Sequence, residues 1–173
     1  MRNSLHKLTL TAAIALVIPL LSSAAWAQAT DNDGCADDSL KGDYAFTISG
    51  QVFGPTTIQR DGVAMTHFDG DGNLTQVDFV LANGVPVPGP EDPTTHFHVG
   101  EFGTYTVNTD CTGNATINFP PPPGSTGAII KLMFVIGDRG RVLHTIVSSL
   151  TPPGGKAPIP ASIHSDAVKL LGR

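Results

Sequence analysis

Polar and apolar side chains alternate along most of this chain with a period of two. Tyr44, Phe46 and Ile48 share one parity, and Ala45, Thr47 and Ser49 share the other. Successive strand side chains point to opposite faces, so this pattern predicts a half-buried strand. The same reading predicts strands at 56–68, 74–82, 96–108, 114–119, 128–136, 141–149 and 161–170. Gly50 and Gly54-Pro55 end or bend the first strand, and Gly62 reads as a bulge in the second. No stretch carries a convincing helical period.

The connections support strands joined as hairpins. Asp69-Gly70-Asp71-Gly72-Asn73 lies between two alternating runs, where Gly and Asn accept positive φ at little cost. Asp110-Cys111-Thr112-Gly113-Asn114 and Gly137-Asp138-Arg139-Gly140 read as further turns. A long Pro-rich loop at 84–95 is expected to cover one end of the fold. Pro120 to Pro123 form a stiff connection, read as a rigid loop rather than a docking segment. Eight strands in sequence predict an all-β, antiparallel, up-and-down meander. Closing it into an eight-stranded barrel removes its exposed edges. A two-sheet β-sandwich is the alternative.

The first residues break this pattern and read as a signal peptide, 1–27. Arg2 and Lys7 precede an apolar core from Leu8 to Leu21, and Ala25-Trp26-Ala27 supplies a small-x-small cleavage pattern. The core falls short of the roughly 20 apolar residues a membrane span needs. Residues 28–41 are expected to form a polar N-terminal extension, and 42–173 the barrel domain. The protein is therefore expected to be exported, to the periplasm or beyond the cell, with no membrane span after cleavage.

Composition adds two limits. Removing Arg2 and Lys7 leaves 8 basic against 15 acidic residues, and no Lys/Arg run occurs, so a nucleic-acid partner is not expected. Cys35 and Cys111 are the only cysteines, and in an oxidising compartment they are expected to form a disulfide.

Motifs in this chain resemble those of a group of small secreted bacterial proteins of unknown function. They are Ser39-Leu40-Lys41-Gly42-x-Tyr44-Ala45-Phe46 after Cys35, Phe68-Asp69-Gly70-Asp71-Gly72-Asn73-Leu74, and Gly103-Thr104-Tyr105-Thr106-Val107-Asn108-x-Asp110-Cys111-Thr112-Gly113. The architecture of that group is similar to the allene oxide cyclase and dirigent barrels, within the wider lipocalin-like set. The likeness spans most of the chain after the signal peptide, but turns and strand starts carry it. It implies a fold rather than a chemistry, and no catalytic residue of the plant cyclase transfers. The lipocalin Gly-x-Trp signature is absent, and the one Trp is Trp26.

Candidate chemistry concentrates in the strand at 96–108. His96 and His98 are two apart and would share a strand face, while Glu101 would face away unless a bulge at Gly100 turns it back. His96, His98 and Glu101 are the candidate metal ligands, with zinc the first choice for such donors. A polar cavity lining and a solvated strand face are the competing readings, and the solvated face is the default. Asp69-Gly70-Asp71-Gly72-Asn73 resembles the start of a calcium loop, but the twelfth position is Val80 rather than Glu. No Gly-x-Ser-x-Gly occurs, so an acyl-enzyme hydrolase is not expected.

Parity of the large apolar residues also predicts which side chains line the interior. Tyr44, Phe46, Ile48, Val107, Ile117, Leu132, Phe134, Val142 and Ile146 are taken as inward, which brings Tyr105 and His144 inward too. Tyr44, Phe46, Tyr105, Phe134 and His144 are then the candidate ligand-binding residues, with Tyr105 and His144 the candidate acid–base pair. Ordinary core roles are the alternative for both. Arg60 and Asp78 stand out as charges within strands and are expected to pair across their hairpin. The expected function is binding of a small apolar molecule inside the barrel. A cofactor-independent cyclase or isomerase and a non-catalytic structural surface protein are the alternatives. No organic cofactor is called for, and self-association stays open.

Overall fold

The computed structural model describes Gly34–Pro121, Gly124 and Thr126–Gly172. The expected signal peptide lies outside these residues. The strands are β1 (Gly42–Val52), β2 (Ile58–Phe68), β3 (Asn73–Ala82), the two-residue β4 (Val85–Pro86), β5 (His98–Val107), β6 (Thr112–Asn118), β7 (Ile129–Gly137), β8 (Val142–Thr151) and β9 (Ala161–Lys169). Short 3-10 turns occupy Asp37–Leu40 and Asp138–Gly140.

All strand pairs are antiparallel. Setting β4 aside, each strand pairs with its sequence neighbours, and β1 also pairs with β9, which closes the sheet. The result is the eight-stranded up-and-down barrel, not the sandwich. The strand β4 is a hook that pairs only with the end of β3, through Leu81↔Pro86 and Ala82↔Val85.

The expected bulge at Gly62 does not occur. Gly62 keeps continuous register with Ile48 on one side and Val80 on the other. A bulge sits at Gly100 instead. Gln76 pairs with Glu101 and Asp78 with His98, so three steps along β5 match two along β3. Gly100 takes φ of +83°, which a residue without Cβ adopts freely. A second irregularity falls between Lys131 and Leu132 on β7, opposite β8.

Up-and-down order gives the barrel two unlike ends. One end carries the tight turns and the N-terminal segment. There Cys35 and Cys111 form the disulfide, and the 3-10 turn inserts Leu40 with no exposed surface. Phe68 stands edge-on to both Tyr44 and Tyr105, with ring centroids 5.4 and 5.0 Å apart. Asp37 Oδ1 accepts a 2.6 Å hydrogen bond from the Val107 backbone. These groups make a closed floor. The other end carries the long Pro-rich loops. Among the described residues, no helix is long and apolar enough to cross a membrane.

Candidate functional site

Above the floor the barrel is not filled. A cavity of about 360 Å³ runs toward the long-loop end. Its walls include Phe46, Ala64, Ala115, Ile117, Leu132, Phe134 and Leu143 from five strands, with Val87, Pro90, Phe119 and Pro152 from the loops. The lining is overwhelmingly apolar, within the size range of small-molecule sites. The loop at 84–95 therefore contributes to one end, as its composition suggested.

One strip of this wall is polar. Thr66, Gln76, Asp78, His98 and Glu101 all line the cavity and are all buried. They follow from parity on β2 and β3, where even-numbered residues face inward, and from the Gly100 bulge on β5. Without the bulge, His98 and Glu101 would lie on opposite faces. With it, both point inward, and Glu101 retains only 2% of its surface.

These groups form one hydrogen-bonded chain. Thr66 Oγ1 donates to Gln76 Oε1 at 2.8 Å, and Gln76 Nε2 donates to Glu101 Oε2 at 2.7 Å. His98 Nδ1 lies 2.7 Å from Asp78 Oδ1, and Nε2 lies 2.8 Å from the Val87 carbonyl. A carbonyl only accepts, so Nε2 carries a hydrogen, and Nδ1 and Asp78 share another. Glu101 Oε1 receives no hydrogen bond.

The electrostatics explain that last atom. Burial, then the neighbouring Asp78 carboxylate, push the Glu101 pKa up to about 9. Burial also raises Asp78, while His98 acts against the rise. Two carboxyls this close in an apolar surround do not both ionise. Glu101 is therefore a neutral acid beside Asp78. Counted together, Asp78, His98 and Glu101 carry no net charge.

The expected site residues divide sharply. Phe46 and Phe134 line the cavity. Tyr44 and Tyr105 are inward but lie in the floor, outside the lining. The Tyr44 hydroxyl donates to the Gly140 carbonyl. The Tyr105 hydroxyl donates to the Asp37 carbonyl and accepts from the Gly70 amide, both at 3.0 Å. Burial above all raises both phenols, Tyr44 to about 12, so both stay neutral.

His144 is a correction. It faces outward, 63% exposed, and lies 2.6 Å from Asp166 of β9. Leu143, Thr145 and Val147 of β8 face the cavity instead, so Val142 and Ile146 are outward as well. Both parities of β8 are largely apolar, so its sequence alone does not mark the inward face.

The metal triad also changes. His96 precedes β5 with φ of +60° and an exposed ring, 3.8 Å from Glu91. It does not join His98. Asp78 takes its place, and ligand atoms of Asp78, His98 and Glu101 all lie within 4.8 Å of one another. A zinc ion would have to displace either Asp78 or the Val87 carbonyl from His98. Asp69 spends its carboxylate on Asp71 and Asn73 within its own turn, as a hairpin requires without an ion. Arg60 pairs in register with Ala82, not with Asp78.

Comparison with family models, curated proteins and solved structures finds no match to this chain. The closed barrel is compatible with the lipocalin-like set; the narrower likeness to the cyclase and dirigent barrels rests on the sequence motifs alone.

Proposed function

We propose that this protein is exported and binds a small apolar molecule inside its barrel. One observation carries the reading: a roughly 360 Å³ apolar cavity, closed at the Leu40 floor and reached from the Pro-rich end. A barrel evolved only as a scaffold gains stability by filling such a space, since an empty cavity forfeits packing. The disulfide is consistent with an oxidising compartment. Titration with N-phenyl-1-naphthylamine, a neutral probe that brightens in apolar surroundings, tests the reading. Saturable one-to-one binding supports it, and the absence of any saturable signal rejects it.

A second reading is favoured by Glu101. A neutral carboxylic acid on the wall of an apolar cavity is equipped for proton transfer, the chemistry a cofactor-independent cyclase or isomerase needs. The acid–base residues would then be Glu101, Asp78 and His98. A ligand extracted from the purified protein would be returned to wild type and to Glu101→Gln, and its isomers separated by chromatography. Conversion by wild type alone supports catalysis; no conversion by either leaves the protein a carrier.

A further inference from the structure

One charged residue in the cavity belongs to neither the floor nor the polar chain. Arg60 of β2 faces inward and lines the cavity among Ile58, Val80 and Val52. Among the described residues its guanidinium has no ion-pair or hydrogen-bond partner. Its register neighbours are Gly50 on β1 and Ala82 on β3, so no bulky side chain flanks it on either strand. Residue 50 is held to glycine, since a Cβ there would come within 2.2 Å of the Ser162 carbonyl, so no side chain stands opposite Arg60 on β1.

A guanidinium in this position is costly unless something compensates it. Burial lowers its pKa, which measures the discomfort of the charge in an apolar surround. The cavity's other ionisable groups are Asp78, His98 and Glu101, whose charges sum to zero. The interior thus presents a single net positive charge, although the whole chain carries −5. A planar five-donor fork is suited to a carboxylate and meets it in two parallel hydrogen bonds.

We propose that the occupant is an amphipathic acid, its hydrocarbon part in the apolar barrel and its carboxylate on Arg60. This rests on the interior-binding reading and narrows it to a chemical class. The half-buried position of Arg60, on the loop side of Ala64 and Thr66, sets the direction of entry. The hydrocarbon end goes in first, toward Phe134 and Leu143, and the anionic end stays near the mouth.

The test is displacement of N-phenyl-1-naphthylamine by dodecanoate and by dodecanol at neutral pH, with wild type, Arg60→Met and Arg60→Lys. A charge-assisted pair predicts dodecanoate about tenfold tighter than dodecanol in wild type. Arg60→Met abolishes that preference while the probe still binds, and Arg60→Lys retains part of it. Probe affinity itself reports that each variant is folded. Equal displacement by acid and alcohol in wild type, or a preference that survives Arg60→Met, overturns the carboxylate assignment and leaves the apolar site standing. Failure of wild type to bind the probe at all removes both.

Discussion

His98 Nδ1 lies 2.7 Å from Asp78 Oδ1, tying β5 to β3 on the inside of the barrel. The contact exists because Gly100 adds one residue to β5 between His98 and Glu101. That single extra residue brings an imidazole and two carboxyls to one wall. The chain they form with Gln76 and Thr66 satisfies nearly all its polar atoms without an added ion.

Stability should fall as pH rises, and Glu101 should be a principal cause. Its folded pKa of about 9 lies above the ordinary 4.5. Below the ordinary value both folded and unfolded chains hold the proton. Between the two values the unfolded chain releases it and the folded chain keeps it, so stability drops steadily; above about 9 the loss is complete. Asp78, also raised, adds a slope of the same sign in its own range. Glu101→Gln keeps the acceptor for Gln76 and a donor toward Asp78 but cannot ionise. Its Tm should match wild type near pH 4.5 and exceed it by several degrees near pH 8.5, read by thermal scans.

The bulge itself can be tested at Gly100. Gly100→Ala places a Cβ on a residue with φ of +83°, 3.1 Å from the Pro120 ring. The left-handed backbone penalty is about 1–2 kcal/mol for a residue with Cβ. Urea unfolding should show a loss of at least that size.

Much of this was legible in the residues, and the failures have physical causes. Period-two alternation located all eight barrel strands, because inward and outward positions differ chemically on most of them. On β8 they do not: Leu143 and Val147 are as apolar as Val142 and Ile146, and only the pairing with β7 and β9 decides which face turns in. His144, expected inward, turns outward beside Asp166 for that reason. The convergence of His98 and Glu101 was foreseen only as a consequence of a bulge at Gly100, a long-range register fact. Asp78 and Gln76 were missed as their partners. Their signal was present, since Leu74, Gln76, Asp78 and Val80 share one parity of β3, and two polar residues on an inward face mark a buried network. Arg60 was singled out by its charge, but register, not hairpin proximity, settles its neighbours.

The disulfide holds the floor. Cys35 and Cys111 are 76 residues apart in sequence, and closing so long a loop restricts the unfolded chain severely. Cys35→Ser combined with Cys111→Ser should cost about 2–5 kcal/mol in urea unfolding. Amide exchange in the Asp37–Leu40 turn should rise more than in β7, because the cross-link anchors that turn beneath Tyr44 and Tyr105.

The cavity can be blocked from its wall. Leu132→Trp places a larger ring in the lining and supplies the only Trp of the chain apart from Trp26. Affinity for N-phenyl-1-naphthylamine should fall by about tenfold or more, the scale of one lost apolar side chain's worth of burial. Met133→Trp, on the outward face of the same strand, should leave it unchanged.

Where a bound apolar molecule sits is read most directly by nuclear Overhauser contacts between dodecanol and isotope-labelled methyl groups. Occupancy of the barrel interior gives contacts to Ile117, Leu132 and Leu143. Contacts confined to the outward methyls of Met133, Ile146 and Val168 place the molecule on the outer surface and contradict an interior site.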